Sequence, residues 1–193
     1  MTVGDHLIAA TADHEAAFVH RLKERSASAW AELYDSCYLK LFRYAYVRLR
    51  DAALAEDITA SVFLEAYEHI DSFTYRGRPL LAWLYRIATH LVGKNLRSRR
   101  REQRALEASA ARLEQSAPGP ETSVERHDLL EALGKLTKDQ QQVIILRHFT
   151  GLTFAQVAAV MNRRKEAVYA LHIRALASLR RLMTGKTKEA KKT

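Results

Sequence analysis

The sequence predicts an all-α protein of two small helical domains joined by a flexible linker, the C-terminal one containing a helix-turn-helix. Apolar residues recur at three- and four-residue steps through two long blocks of the chain. Seven Gly and three Pro in 193 residues leave few breakers, which favours long helices over many short strands. Between the blocks lies one stretch that loses the apolar period and ends in Pro118-Gly119-Pro120. No strand-like alternation and no repeat is visible.

The elements follow in chain order. Residues 1 to about 12 read as a weakly ordered lead-in. The first domain spans 13–104. Phe18 and Leu22, then Trp30, Leu33, Tyr34, Tyr38, Leu41, Phe42 and Ala45, form one apolar stripe, which Asp51 breaks. Leu54, Ile58, Val62, Phe63, Ala66 and Ile70 form the next. A polar loop, Asp71 to Arg78, precedes Pro79, which suits a first helical position. A third stripe, Leu80, Leu81, Leu84, Ile87, Ala88 and Leu91, runs into Arg97, Arg99, Arg100, Arg101 and Arg104. Residues 105–121 read as a tether, partly helical. The second domain spans 122–183 and is followed by a basic tail, 184–193, of which Lys186 to Thr193 is expected to be disordered. Three Thr residues stand three positions before Glu or Gln: Thr122 with Glu125, Thr137 with Gln140, and Thr153 with Gln156. Each has the form of a capping box ahead of an apolar run.

The net charge of +9 points to a polyanionic partner, with nucleic acid ahead of membrane. The lone Cys37 cannot form an internal disulfide and lies on an apolar helical stripe, which fits core packing in a reducing cytoplasm. No apolar run reaches the ~18 residues needed to span a bilayer. The first twelve residues lack a basic start followed by an apolar stretch and do not read as a secretion signal.

Three segments carry candidate chemistry. The first runs from Thr153 to Leu182. A short helix, Phe154 to Met161, meets a turn at Asn162, a residue type that tolerates positive φ. A longer helix follows from about Lys165. Val168, Leu171, Ala175, Leu179 and Leu182 share one face of it, leaving Lys165, Tyr169, His172, Ile173 and Arg180 on others. This is the plan of a helix-turn-helix, whose second helix enters the major groove. An ordinary helical hairpin is the bland alternative. The second segment is Phe73 to Arg101. There Phe73, Tyr75, Trp83 and Tyr85 mix with Arg76, Arg78 and Arg86, which suits stacking on single-stranded bases beside neutralised phosphates. Each aromatic, taken alone, also fits a core. The Arg run after it carries one sign and belongs on a phosphate backbone or in solvent. The third is Glu56-Asp57 at the start of an amphipathic helix. The helix dipole favours carboxylates there, and they could also dock a basic patch on a protein.

Together these stretches resemble a known family. Leu33-Tyr34, Leu41 to Ala45, Arg48, Asp51, Ala55 to Thr59, Val62-Phe63, Ala66-Tyr67 and Leu81 to His90 resemble the first conserved domain of extracytoplasmic-function (ECF) sigma factors. Leu133 to Leu136, Gln140 to Thr153, Val157-Ala158 and Arg174-Ala175 resemble the second. The resemblance covers roughly residues 15 to 183. It implies a protein that binds core RNA polymerase, directs it to promoters and helps open the duplex. It implies that Glu56 and Asp57, with Ala60 and Ser61, meet the polymerase clamp. The loop Ser72 to Arg78, with Phe73, Tyr75, Arg76 and Arg78, would hold a base flipped out of the minus-ten element. Arg86, His90, Lys94, Arg97, Arg99, Arg100 and Arg101 would line the helix that reads that element's upstream edge. Arg163, Arg164, Lys165, Tyr169, His172 and Arg174 would meet the minus-thirty-five element. An anti-sigma factor is a further partner the family implies.

The departures from the family pattern fall on the reading heads. Ala60 and Ser61 stand where the family commonly has Gln and Glu, and His90 and Lys94 where it has Asn and Asp. Leu171 stands where an Arg is usual, with Arg163, Arg164 and Lys165 as the replacement for its phosphate contact. Catalysis is not expected: the eight His are scattered, and no Gly-rich phosphate loop, metal-ligand cluster or nucleophile motif is present. No cofactor or small-molecule substrate is expected either. The alternative function is a helix-turn-helix regulator that acts on duplex DNA without the polymerase core.

Overall fold

The computed structural model describes residues 14–74, 79–108 and 124–190. Every regular element among them is helical. Residues 14–23 form α1, followed by α2 (Ala27–Leu49), α3 (Ala52–His69), a 3₁₀ turn (Ile70–Ser72) and α4 (Leu80–Ala108). The later helices are α5 (Val124–Gly134), α6 (Lys138–Ile144), α7 (Phe154–Met161) and α8 (Lys165–Ala190). A π-helical turn (Ile145–Phe149) follows α6 directly. The chain divides into two compact units at Lys94 and Asn95, inside α4.

The first unit is built on α2 and α3. The break expected at Asp51 is where α2 ends. Arg50 closes α2 in the left-handed conformation (φ 56), and the Asp51 side chain caps α3 by accepting from Leu54 N–H at 3.1 Å. Leu33, Leu41, Tyr44, Ala55, Val62, Ala66 and Ile70 are buried, joined by Leu84, Tyr85, Ala88 and Val92 of α4. Tyr44 ties α2 to α4 twice. Its hydroxyl pairs with Thr89 Oγ1 at 2.9 Å, and its ring meets Tyr85 edge-on at 5.5 Å. Cys37 is buried as expected, and burial raises its thiol pKa.

In the second unit two of the expected capping boxes are formed complete, Thr137 with Gln140 on α6 and Thr153 with Gln156 on α7. Thr122 lies outside the described residues. Val143 to Leu146, Leu152, Val157, Val168, Ala175 and Leu179 form the core. The tether lies largely outside the described residues; α4 continues through Ala108, a little beyond the expected edge of the first domain. One element runs longer than the sequence predicts. In place of a last helix that stops at Met183 and a disordered tail, α8 continues to Ala190. Lys, Glu and Ala are strong helix formers, and a single Gly185 costs only about 1 kcal/mol against Ala.

Candidate nucleic-acid interface

The second unit carries the geometry of a helix-turn-helix. Thr153 starts α7, and Gly151 just before it takes a positive φ of 74. Asn162 makes the expected turn with φ 53 and ψ 46. Its backbone N–H and that of Arg163 turn back onto α7 carbonyls, the latter at 3.0 Å from Ala158. Three residues on, α8 begins. Val168, Ala175 and Leu179 seat it on the core, with Leu171 buried as predicted. Apolar Leu171 is thus a packing residue, and it offers nothing to a phosphate.

The predicted DNA-facing residues of this unit separate into three groups. Arg164, Lys165, Tyr169 and Arg174 are exposed. Arg163 is exposed too, but it is paired with Asp139 in the first turn of α6. His172 is the exception: only 8% exposed, it cannot present its ring to a groove. Its Nε2 lies 2.8 Å from His148 Nε2, and its ring meets Phe154 edge-on at 5.2 Å. The reason is positional. His172 falls four residues after Val168 and three before Ala175, on the face that packs. Burial, then the neighbouring charges, lowers the pKa of both imidazoles. One ring therefore donates to the other in the neutral pair.

In the first unit, α4 presents a cationic stripe. Arg86, His90 and Lys94 are exposed there, and their spacing of four residues keeps them on one side; Arg97 and Arg101, on the same helix but past the division at Lys94, are exposed too. The opposite side, Tyr85, Ala88 and Val92, is buried. Arg99 and Arg100 are exposed as well. Of the two readings open for Phe73, base stacking and core packing, the structure favours the second: only 7% of it is exposed and its ring lies 5.2 Å from Trp83. Phe73 closes the 3₁₀ turn, its backbone N–H bonded to the Ile70 carbonyl at 3.0 Å, and its ring is set against Trp83 in the first turn of α4. Tyr75, Arg76 and Arg78 lie outside the described residues. The ends of their loop are held from elsewhere. Arg25 bonds the Asp71 carboxylate at 2.7 Å, Lys23 the Asp71 carbonyl at 3.2 Å, and Glu15 accepts from Leu80 N–H at 2.6 Å.

Glu56, Asp57, Ala60 and Ser61 share the exposed face of α3, with Leu64 beside them at 61% exposure. An aromatic ladder, Tyr34, Tyr38, Phe42 and Tyr46, runs along α2 at four-residue steps, its rings 5.0 to 6.2 Å apart. The apolar stripe of the sequence contained Tyr34, Tyr38 and Phe42, but not Tyr46, and carried no sign that Tyr34 is 45% exposed.

The Sigma-70 region 2 family model matches residues 33–102, and that of Sigma-70, region 4 matches residues 132–181. The ECF RNA polymerase sigma factor BldN of Streptomyces coelicolor is 35% identical over 180 residues, which cover 89% of this chain and 68% of that protein. This chain belongs to the ECF sigma factor family. A second member, SigL of Mycobacterium tuberculosis, is 30% identical and covers 76% of this chain and 89% of its own. Among solved structures, the sigma factor RpoE of Bartonella quintana, in complex with the anti-sigma factor NepR, is 25% identical. Its TM-score is 0.58, over 79% of this chain and 97% of that one. As a sigma factor the chain directs RNA polymerase to promoters. The region 4 match covers α7 and most of α8, and the region 2 match covers α3 and most of α2 and α4. No helix among the described residues is long and apolar enough to cross a membrane.

Proposed function

We propose that this sigma factor divides its work between its two units along the surfaces described above. The exposed face of α3, Glu56, Asp57, Ala60 and Ser61, meets core polymerase. The loop around 75–78 and the stripe Arg86, His90, Lys94, Arg97 and Arg101 engage the minus-ten element, with Arg99 and Arg100 on its flanking phosphates. The start of α8, with Arg163, Arg164, Lys165, Tyr169 and Arg174, engages the minus-thirty-five element. The protein performs no catalysis of its own and works in the cytoplasm, where its polymerase and promoters are. An anti-sigma factor, as in the RpoE–NepR complex, is a natural regulator.

The observation that carries this reading is the pairing of a cationic helix in one unit with a helix-turn-helix in the other, in the order of regions 2 and 4. Each surface alone is weakly specific, whereas two joined DNA-binding units gain from effective concentration when both engage one promoter. The test is reconstitution. Purified protein is mixed with core polymerase and genomic DNA, and transcript starts are mapped. New start sites that share two spaced elements are expected. Absence of new starts, together with no complex with core on a sizing column, refutes the reading.

A further inference from the structure

The outermost line of α8, opposite the buried Val168, Ala175 and Leu179, is formed by Glu166, Ala170, Ile173 and Ala177, all exposed. Ile173 is 49% exposed, an isoleucine placed in water in the third turn of α8. Tyr169 beside it is 55% exposed and rests its ring edge-on against Phe154 at 5.4 Å. From Glu166 to Ala177 the cations stand off this line, and Arg180 and Arg181 come only beyond it. Arg163, Arg164 and Lys165 gather at the helix start, and Arg174 lies on the flank, its Nε turned onto the carbonyl of Ala170 at 3.3 Å. The line that a major groove would meet first thus carries one hydrogen-bonding side chain, a carboxylate, and three apolar ones.

Resting on the proposed engagement of α8 with the minus-thirty-five element, we propose that this helix selects its element by one cytosine and by thymine methyl groups. In the major groove a carboxylate finds a partner in the cytosine N4 amino group, whereas guanine offers acceptors only and adenine sets the N7 acceptor, which repels a carboxylate, beside its N6 amino group. Thymine alone offers a methyl group to an apolar side chain. Glu166 therefore takes the cytosine amino group, and Ile173, helped by Ala170, packs on a thymine methyl. The cations at the helix start and flank hold phosphates and add no base preference. Glu166 and Ile173 are seven residues apart, about 10.5 Å along the axis, which is roughly three base steps of 3.4 Å. The cytosine and the thymine are thus expected about three base pairs apart.

The test uses holoenzyme, the full chain with core polymerase, on a promoter from the mapped set with its upstream element randomised. Transcribed members are sequenced. Enrichment of a cytosine and a thymine at that separation is expected. Ile173→Ala lowers the thymine preference roughly tenfold, and Glu166→Ala does the same for cytosine, the scale of one mismatched base pair. Both side chains are exposed, so neither change disturbs the core. Deoxyuridine in place of the selected thymine removes only the methyl group; it weakens the parent protein to the level of Ile173→Ala and leaves that variant unchanged. Full activity of the parent on deoxyuridine templates, or base preferences that survive both substitutions, overturns the proposal while the sigma reading stands. No transcription from any member of the library overturns the engagement of α8 itself.

Discussion

The pair between Arg163 and Asp139 gives a prediction whose two readouts move in opposite directions. Arg163 stands at the start of the recognition helix, and its guanidinium is held by a carboxylate in the first turn of α6. To meet a phosphate, Arg163 must leave that carboxylate. The side chains are 44% and 50% exposed, so the pair contributes about 0.2–1 kcal/mol. Asp139→Asn removes this competition. Promoter affinity should rise by the same amount, between about 1.4-fold and fivefold. Stability should fall, because the pair is broken and because Asp139 also gains about 0.3–1 kcal/mol from the α6 dipole. The assay is a double-mutant cycle on holoenzyme binding to promoter DNA, with Asp139→Asn, Arg163→Ala and both together. Arg163→Ala should weaken binding, and Asp139→Asn should add little in its presence. Equal gains from Asp139→Asn with and without Arg163 would mean that only net charge matters, and the idea of a competed arginine fails.

Further outcomes follow from the same structure. Thr153→Ala deletes the capping box of α7 and should cost about 1 kcal/mol, seen as a fall of several degrees in the melting of the second unit; an unchanged melt would show that Gln156 alone suffices. Both imidazoles of the His148–His172 pair have pKa values below the ordinary one. The unfolded chain therefore takes up protons that the folded chain refuses, so stability is full above about pH 6.5 and declines below it. His172→Leu should show a shallower decline in melts taken from pH 7.5 to 5, and identical slopes in the two proteins refute the assignment. Charge reversal of Arg99, Arg100 and Arg101 together should weaken promoter binding and flatten its salt dependence by about 0.9 for each phosphate no longer neutralised; an unchanged salt slope places these residues away from phosphates.

Where a boundary is set by local chemistry, the sequence already shows it. Thr153 with Gln156 marks the start of α7 and Asn162 its end, and the structure places both there because each satisfies backbone groups within a few residues. Asp51 works the same way between α2 and α3. Where distance along the chain intervenes, nothing local gives warning. Asp139 and Arg163 are 24 residues apart. His172 is a different kind of miss. The helical arithmetic that puts Leu171 and Ala175 inside also puts His172 there, but its polarity argues for a surface. The pair with His148 lets a polar ring sit in the packing, and no periodicity reveals a partner on another element. Phe73 invites a chemical reading, as an aromatic among arginines, whereas its position beside the start of α4 decides where it goes.

The segment between α3 and α4 also shows how α1, the least specific part of the first block, bears on the surface proposed to face the minus-ten element. Its contacts fall on the two ends of the segment between α3 and α4. Arg25, itself in a left-handed turn with φ 59, grips the Asp71 side chain, and Lys23 grips the Asp71 carbonyl. Glu15 supplies a carboxylate to an N–H in the first turn of α4, where four such groups lack a helical partner and the dipole favours negative charge. Individually these exposed or half-exposed bonds contribute about 1 kcal/mol each at most. Their value lies in geometry. Val19 and Leu22 bury α1 against the first unit, so the cations and the carboxylate arrive already positioned. Under the proposed engagement of the minus-ten element, a base would meet a segment whose ends at Asp71 and Leu80 are already placed, and placing them would cost nothing at binding.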